Sequence, residues 1–593
     1  MNLNNPVRWS LNDLFPEPVD QALNLAFSEL DQASAGFEAL RDSLNEHISV
    51  RAFNDLLEKL ESIHILMARL EAYADLLLSA DAQNTLALNL RDRVDQALTE
   101  SSNRLLFLEL WFKDLSDEAA QTLIAGSGDR HYFLETIRQF KPFTLSELEE
   151  RMINVKDMNG IDALVGLYDM ITNRFEFELE VEGERVSLTR DQVGGYFRHP
   201  SPAVREMAYR ELYRVYEENS TVLAQIYLHR LRDWNAEAVE LRGYASPISA
   251  RNLGNDLPDS VVDILLDTCR RNAGIFQRYF EMKKRWLGLE SLRRYDIYAP
   301  LVESDKVFDH GMGVKMVLDS YEAFSPRAAD LVRRVLAANH LDSESRPGKQ
   351  GGAFCYGPLP GVTPWVMINY EGRARDVATL AHELGHALHN LLAGDHSILT
   401  HSPSLPLAET ASVFAEIQLV DRLLKEENDP AVRRDLFAYA IDDAYVTVIR
   451  QVYFTLFERE AYRLIQEGGG VEDLNELYMA NLREQFGDAV ELGDEFRWEW
   501  LTIPHLYNVP FYTYAYGFGQ LLVLALIQQY RAEGESFVPR YLRILSYGGS
   551  ESPARILTEA GIDITSPAFW QGGFDFIQGM IAELEKLSQE TSS

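Results

Sequence analysis

The sequence predicts a mostly α-helical protein of two or more lobes with a small β element. Apolar residues recur at three- and four-residue spacing over most of the chain, which is typical of helices that bury one face. Segments that alternate apolar and charged residues, as half-buried strands do, are few. The chain has 593 residues, more than a single hydrophobic core of ordinary size needs.

A soft boundary falls at FRHPSPAVRE, near 197–206, where Pro and Ser residues break the helical pattern. We therefore expect an N-terminal helical region over residues 1–200 and a C-terminal region over residues 201–593. The clearest helical windows are residues 20–47, 54–80, 85–113, 257–287, 313–338 and 431–467.

Two segments predict strands. Residues 174–188, RFEFELEVEGERVSL, alternate apolar and charged residues around Gly183, which predicts an exposed hairpin in the N-terminal region. Residues 364–370, PWVMINY, form a short apolar run between two glycines. This second predicted strand comes just before residues 375–394, which contain closely spaced histidines.

Charge and composition exclude several classes of protein. The net charge is −35 and the sequence pI is about 4.8, so nucleic acid and anionic membrane surfaces would repel the chain. The start has no basic segment followed by an apolar one, and the apolar run at 521–527 is too short to cross a bilayer. The two cysteines, Cys269 and Cys355, form no CxxC motif. We expect a cytoplasmic protein without disulfides.

Residues 375–394, RDVATLAHELGHALHNLLAG, predict one amphipathic helix that carries a metal site. His382 and His386 are four residues apart, so their rings point the same way and can hold one ion. Glu383 follows the first histidine and can reach a water at that ion. By chance alone, a chain of this length would contain an H-E-x-x-H motif in roughly a few per cent of cases.

A third ligand is needed, because a catalytic zinc site has three protein ligands and one open position. A second helix, LAETASVFAEIQLVDRLL, is predicted from residue 407 and carries Glu409 and Glu416 on one face. We expect Glu409 to be the third ligand and Glu416 to orient a ligand histidine, or else to form an interhelical ion pair. The competing candidates for the third ligand are His389, His396 and His401.

The two-helix arrangement is that of the gluzincin class of zinc peptidases. The metzincin arrangement instead requires glycine at 389 and histidine at 392, where this chain has His389 and Leu392. A structural zinc site would be closed by four ligands, usually with cysteine among them. Neither pattern matches the residues present.

The motifs TLAHELGHALH and SLPLAETASVFAE resemble the oligoendopeptidase F branch of the thimet oligopeptidase family of zinc metallopeptidases. Further landmarks appear in order over most of the chain: WSLNDLFP, WLGLESLRRYDIYAPL, GKQGGAFCYG and IPHLYNVPFYTYAYGFGQLL. The resemblance implies a two-lobed, prolate helical metallopeptidase with a deep substrate channel, a small β element beside the zinc helix, and short unstructured peptides as substrates.

The resemblance carries specific residues to this chain. It implies that His382, His386 and Glu409 bind one Zn²⁺ and that Glu383 is the catalytic glutamate. It also implies that His505 stabilises the reaction intermediate.

A tyrosine near His505 is expected to share this role. Where the thimet branch has a tyrosine five residues after the histidine, this chain has Pro510. Tyr512 is therefore the first candidate and Tyr507 the second. We expect Asn508 and Pro510 to open a helix that carries Tyr512 and Tyr516, and the alternative for these tyrosines is aromatic core packing.

The expected reaction is hydrolysis of internal peptide bonds, with Glu383 as proton carrier and with His505 and Tyr512 as oxyanion donors. The 364–370 strand is expected to pair with the substrate backbone. The alternative is a non-catalytic helical protein that binds peptides and retains a zinc site. An aminopeptidase of another gluzincin branch is disfavoured, because no G-x-M-E-N segment occurs. Cleavage preference and oligomeric state stay open.

Overall fold

The computed structural model describes residues 5–181, 183–301, 307–426 and 429–590. Most of these residues are helical, which confirms the predicted mostly α-helical class. The strands are short and form two small sheets.

The elements are numbered in chain order. Up to residue 142 the helices are α1 (Val19–Glu38), α2 (Val50–Ala80), α3 (Thr85–Asp114), α4 (Asp117–Ala125) and α5 (His131–Gln139). Up to residue 301 follow α6 (Glu147–Asn159), α7 (Ile161–Thr172), β1 (Phe177–Val181), β2 (Glu184–Leu188), α8 (Arg190–Gly195), α9 (Pro202–Glu218), α10 (Ser220–Asn235), a π-helical segment (Ala236–Leu241), α11 (Pro247–Gly254) and α12 (Asp259–Trp286).

The second half of the chain begins with α13 (His310–Phe324), α14 (Pro326–Ala337), β3 (Leu341–Glu344), β4 (Phe354–Tyr356), β5 (Trp365–Tyr370), α15 (Ala374–Leu392), α16 (Leu405–Ala408) and α17 (Ser412–Glu426). It ends with α18 (Pro430–Ala444), a second π-helical segment (Tyr445–Arg450), α19 (Gln451–Gln466), α20 (Val471–Phe486), a 3₁₀ segment (Asp494–Thr502), α21 (Pro504–Asn508), α22 (Tyr514–Glu533), α23 (Val538–Ser546), α24 (Pro553–Glu559) and α25 (Pro567–Glu590).

The predicted helical windows correspond to observed helices, with breaks that the periodicity did not show. The windows 54–80, 85–113 and 257–287 are α2, α3 and α12. The window 313–338 is divided into α13 and α14 at Ser325, whose side chain caps the second helix just before a proline at its first position. Periodicity misses such breaks because the apolar stripe continues across them.

The predicted hairpin is present as the antiparallel pair β1 and β2. Residue 182 of the predicted segment lies outside the described residues. The prediction that the hairpin is exposed is wrong for one face, because Phe177 and Leu179 are 0% and 1% exposed. The alternation of apolar and charged residues therefore indicated a strand with one buried face, which is what a two-residue period predicts.

The predicted strand at 364–370 is β5, and it is the central strand of a three-stranded sheet. It pairs in parallel with β3 and antiparallel with β4, in the order β3-β5-β4. The expectation that β5 pairs with a substrate is wrong, because both of its edges already carry strand partners. Among the described residues, the antiparallel edge without a strand partner belongs to β4.

The described chain forms two compact units, each with its own core. Unit 1 comprises Met1–Pro142, Asp305–Lys425 and Gln529–Asp563, and unit 2 comprises Phe143–Ser304, Glu426–Gln528 and Ile564–Ser593. These units do not follow the predicted division between residues 200 and 201. Each unit combines segments that are far apart in sequence, and a linear change in composition cannot reveal such a combination.

The longest apolar run, residues 521–527, lies inside α22 and is fully buried in protein. In the described part of the chain, no helix has the length and apolar character that a membrane span requires. The two cysteines are not joined in a disulfide.

Candidate metal centre and active site

Helix α15 forms as the sequence predicts and presents the two histidines from one side. Its apolar residues are buried at helical spacing: Val377, Leu380, Leu384, Ala387, Leu388 and Leu391. The side chain of Asp376 accepts the backbone N–H of Arg373 at 2.9 Å and so caps the start of the helix. The rings of His382 and His386 lie one turn apart with their centroids 5.1 Å from each other.

The structure brings Glu409 to both histidines. Its Oε2 lies 3.3 Å from Nε2 of His382 and 3.4 Å from Nε2 of His386. The three ligand atoms are all within 4.8 Å of one another. The three residues singled out as ligands from the sequence therefore meet at one point in unit 1.

This donor set fits a tetrahedral zinc ion. Two ligands that are each about 2.0–2.1 Å from a tetrahedral centre are about 3.3 Å apart, which is the spacing between Glu409 and each imidazole. Two imidazole nitrogens and one carboxylate oxygen are typical ligands of catalytic zinc. The described residues contain a second group of potential metal ligands. It consists of three carboxylates and no imidazole: Asp157, Asp233 and Glu237.

Glu409 does not lie on a continuous second helix as the sequence predicted. The short helix α16 ends at Ala408, and α17 begins at Ser412, so Glu409 lies in the break between them. The hydroxyl group of Ser412 donates to the Glu409 carboxylate at 2.7 Å and to its carbonyl oxygen at 3.1 Å. This local hydrogen bonding competes with a regular helix and orients the carboxylate.

Gly385 allows α15 to approach this break closely. A Cβ atom at this position would lie 2.5 Å from the carbonyl oxygen of Ala411 and 2.5 Å from Cα of Ser412. Both are backbone atoms that cannot move aside as a side chain can. The glycine between the two histidines therefore sets how near Glu409 comes to them.

The electrostatics of the cluster favour a bound cation. Burial disfavours a charge on His382, but its hydrogen bonds to Glu409 and Glu416 outweigh burial and raise its pKa to about 10. Burial acts against charge on Glu409 as well, yet the nearby histidines hold its pKa at about 2. Burial, helped by the neighbouring carboxylates, raises the pKa of Glu383 to about 7. Without an ion, a proton on His382 thus supplies the positive charge that the carboxylates attract.

Glu416 contacts His382, one of the candidate ligands. Its Oε2 lies 3.2 Å from Nδ1 of His382, which leaves Nε2 of the ring to face Glu409. A carboxylate in this position fixes the tautomer and orientation of a ligand histidine.

The other histidines lie outside the ligand group. Both ring nitrogens of His396 have partners, at Asp129 and the carbonyl oxygen of Ser546. Nε2 of His401 lies 3.3 Å from the carbonyl oxygen of Asn390. His389 is 4% exposed, and burial lowers its pKa to about 3.

A cavity of about 370 Å³ opens beside this cluster. His382, Glu383, His386 and Glu409 line it, together with Phe354 and Cys355 of β4 and the residues next to that strand. The thiol of Cys355 on β4 also lies at this cavity. Burial and the charge of Glu383 raise the pKa of that thiol well above its ordinary value. The carboxyl group of Glu383 on α15 and two residues of β4 thus line the same cavity.

Two buried tyrosines that the sequence did not single out hold the ligand backbones. The hydroxyl group of Tyr321 donates to the carbonyl oxygen of Ala381 at 2.9 Å, one residue before the first histidine. The hydroxyl group of Tyr541 donates to the carbonyl oxygen of Thr410 at 2.9 Å, one residue after Glu409. No sequence signal identifies them, because α13 and α23 are remote from the motif along the chain.

The second predicted group, His505 with its tyrosines, lies in unit 2. Nε2 of His505 is 3.3 Å from the hydroxyl group of Tyr516. The rings of His505 and Tyr512 are nearly parallel, with centroids 5.8 Å apart. Burial and the charge of Arg450 lower the pKa of His505. The structure therefore groups these three side chains.

The backbone around Tyr512 differs from the prediction. The helix expected to open at Pro510 begins instead at Tyr514, and Tyr512 lies in the turn before it. The reason is Phe511, whose φ of +55° is incompatible with a right-handed helix.

Tyr507 is packed in the core of unit 2. Its side chain is 0% exposed and stacks on Tyr168 with the centroids 3.8 Å apart. Its hydroxyl group has no hydrogen-bond partner among the described residues. Tyr512 is partly exposed, so of the two candidates only Tyr512 is accessible to solvent.

The chain is similar to known peptidases. The sequence profile of Peptidase family M3 matches residues 196–576, which is more than half of the chain. Oligopeptidase PepF of Bacillus subtilis is 25% identical over 594 residues, covering 98% of this chain and 87% of its own. An oligoendopeptidase F homolog of Borreliella burgdorferi is 25% identical over 616 residues. That alignment covers 99% of this chain and 99% of the homolog.

Among solved structures, a putative peptidase from Chlamydophila abortus superposes with a TM-score of 0.89. The match covers 99% of both chains at 23% sequence identity. At this identity the likeness shows that the two chains share a fold.

Proposed function

Because the chain belongs to peptidase family M3, we propose that this peptidase is a zinc-dependent oligoendopeptidase that hydrolyses internal bonds of short, unstructured peptides. The observation that carries the proposal is the convergence of His382, His386 and Glu409 at tetrahedral ligand spacing. The names of its relatives, oligopeptidase and oligoendopeptidase, support the substrate class. The cytoplasm stays the predicted compartment.

The three ligands would hold one Zn²⁺, with Glu416 and Ser412 orienting His382 and Glu409. A zinc ion held there would supply a Lewis acid able to polarise a carbonyl group and to make water more acidic. Side chains of the protein are proposed to transfer the proton and to stabilise the oxyanion.

Glu383 is the proposed proton carrier. It follows the first ligand on α15, lines the same cavity and is only 6% exposed. Its carboxylate takes a proton from the attacking water and then delivers it to the nitrogen of the leaving amine. The burial of Glu383 keeps its pKa close to neutrality, which suits a group that must both accept and release a proton.

The free edge of β4 is the proposed support for the substrate backbone. β4 uses its other edge to pair with β5 through Phe354, Cys355 and Tyr356. Its unpaired edge can accept an extended peptide as an added strand. Backbone pairing of this kind is independent of side chains and therefore suits an enzyme that accepts many peptides.

His505 and Tyr512 are the proposed donors to the oxyanion that forms as water attacks. Donors aimed at the developing charge stabilise the transition state more than the substrate. Tyr516 holds His505 through its hydroxyl group and is proposed to orient that ring.

The test uses an internally quenched fluorescent peptide and the purified protein. Chelation should abolish cleavage, and added Zn²⁺ should restore it. Glu383→Gln should keep one bound zinc per chain yet lose about 100- to 10,000-fold in kcat. Glu371→Gln is the matched control, because Glu371 is an exposed carboxylate of the same unit, and it should be unaffected.

Mass spectrometry of the products should show cuts at internal bonds, and a stably folded protein should remain intact. Peptide cleavage that survives chelation, or full activity in Glu383→Gln, contradicts the proposal. Tight peptide binding without turnover in the wild-type protein would instead identify a non-catalytic binder.

A further inference from the structure

The segment between α21 and α22 contains a backbone conformation that needs outside support. Phe511 has φ of +55°, in the left-handed region that bulky L residues rarely adopt. Tyr512 follows directly, and His505 lies six residues before Phe511. The left-handed conformation of Phe511, next to a proposed oxyanion donor, therefore needs stabilising contacts from other residues.

One face of α19 contacts this turn at three points. Thr455, Glu458 and Tyr462 are spaced i, i+3 and i+7 and so lie on the same side of the helix. The hydroxyl groups of Thr455 and Thr513 are 2.9 Å apart, and Oε1 of Glu458 accepts the backbone N–H of Phe511 at 3.0 Å. The ring of Tyr462 stacks on that of Phe511 with centroids 5.0 Å apart.

Two arginines hold carbonyl groups of the same segment. Nε of Arg251 donates to the carbonyl oxygen of Pro510 at 2.9 Å. Nε of Arg230 donates to the carbonyl oxygen of Tyr507 at 3.1 Å. The residues just before Phe511 are therefore held at their carbonyl groups while Glu458 holds the N–H of Phe511.

Glu458 is costly for the protein to bury. Its side chain is 1% exposed, and its Oε2 has no hydrogen-bond partner among the described residues. Burial raises the pKa of Glu458 to about 8, although the Phe511 N–H and the charges of Arg251 and Arg230 act against this. A buried carboxyl group with half of its acceptor capacity unused costs free energy of folding, and its one hydrogen bond offsets only part of that cost. No step of the proposed mechanism uses Glu458 directly.

We propose that Glu458 is a positioning residue, which holds the left-handed turn at Phe511 and thereby places the Tyr512 hydroxyl group for its role beside His505. The inference rests on the proposed function, because it concerns the oxyanion donor of that reaction. Glu458 itself touches neither substrate nor metal. It acts through the backbone of the residue before Tyr512.

Two substitutions at Glu458 separate the hydrogen bond from the ionisable group. Glu458→Met keeps the length of the side chain but removes the acceptor, and Glu458→Gln keeps an acceptor oxygen without a carboxylate. Glu458→Met should lower kcat by about tenfold or more, because a displaced oxyanion donor no longer stabilises the transition state. Its KM should stay within about twofold and its zinc content should be unchanged. Glu458→Gln should retain most of the activity.

The matched control is Tyr279→Phe, which removes a different buried hydrogen bond of unit 2, the one to Asp442. It should lower thermal stability without changing kcat. Hydrogen exchange of the peptide that covers residues 509–513 gives a readout independent of activity. Exchange there should be faster in Glu458→Met and unchanged in Tyr279→Phe.

A double-mutant cycle with Tyr512→Phe is decisive. If Glu458 acts through Tyr512, adding Glu458→Met to Tyr512→Phe should cost little further kcat. Losses that multiply would show that Glu458 acts by another route and would overturn the proposal. If Glu458→Met does not fold, Arg251→Met releases the same turn at Pro510 and should show the same coupling.

The outcomes distinguish this inference from the proposed function. A wild-type chain without chelator-sensitive peptidase activity overturns both. An active wild type in which Tyr512→Phe is slow but Glu458→Met and Arg251→Met are normal overturns only the role of Glu458. Full activity in Tyr512→Phe also overturns it, because Glu458 then has no donor to position.

Discussion

The proposed ligands His382 and His386 lie on one regular helix, whereas His505 and Tyr512 flank an irregular turn. On α15, the helical repeat alone brings the two imidazoles to the same side. Around Phe511, the backbone departs from every regular repeat and depends on contacts from α19 and from two arginines. A motif on a helix thus carries its own geometry, and a donor on a turn takes its geometry from its neighbours.

Glu409 lies between these two cases. It comes from a break between helices, yet Ser412 within three residues of it fixes its carboxylate. Its approach to the histidines depends on a glycine from another helix, Gly385. The ligand identity is therefore a local property, while the closeness of the ligands is a tertiary one.

The largest expected effect tests the metal side of the comparison. Glu409→Ala should lose zinc, or bind it far more weakly, because the remaining histidines leave only two protein ligands where three are needed. Peptidase activity should fall with the metal content, and excess Zn²⁺ should restore only part of it. Metal analysis of the purified variant checks this. One tightly bound zinc with full activity would remove Glu409 from the ligand set.

The next effect tests the turn. Tyr512→Phe should keep its fold and zinc but lower kcat by at least about tenfold, since loss of one oxyanion donor typically costs about 100- to 1,000-fold and His505 substitutes in part. Tyr507→Phe is the matched control. Its hydroxyl group is buried without a partner, so its removal should leave kcat unchanged and stability equal or higher.

Steady-state kinetics and thermal unfolding of both tyrosine variants separate the roles. If Tyr507→Phe were the slower enzyme, the assignment of the donor would be reversed. Normal rates in both would assign the role to His505 or to another group.

The smallest expected effect tests how the two ligand segments approach each other. Gly385→Ala places a methyl group 2.5 Å from backbone atoms of α17 and the preceding residue, and such overpacking typically costs about 1–3 kcal/mol. Both stability and zinc affinity should fall, because Glu409 is pushed away from the histidines. Gly36→Ala on α1 is the control, since nothing lies within 4 Å of its added Cβ.

Chemical denaturation and zinc titration measure these two changes. Gly36→Ala should be neutral or stabilise the helix by up to about 1 kcal/mol. Equal behaviour of the two alanine variants would mean that α15 and α17 adjust freely and that the close approach does not control metal binding.

Several elements could be predicted because their determinants are local. Helices α2, α3, α12 and α15 follow from apolar residues at helical spacing, and β5 from a short apolar run between glycines. The ligand candidates follow from residue type and spacing on such elements. The breaks at Ser325 and Glu409 were missed, because hydrogen bonds from a serine side chain to the nearby backbone accompany each break without disturbing the apolar stripe.

By itself, the amino-acid sequence determined the helical class, the two histidines on one helix face, and the resemblance that carries Glu383, Glu409 and His505. The helical class and the placement of the two histidines depend on interactions between residues near one another in the chain, and the resemblance depends on the order of short motifs. Only the tertiary structure decided that β4 rather than β5 has the free edge, because strand order depends on contacts between remote segments.

The tertiary structure likewise separated Tyr512 from Tyr507, which the sequence left as alternatives. Tyr507 is buried against Tyr168, more than 300 residues away along the chain, and Phe511 is held by Glu458. Burial and a left-handed backbone are consequences of such long-range packing. A local sequence pattern records which residues are available, and the packing of distant segments decides which of them reach the solvent and in what orientation.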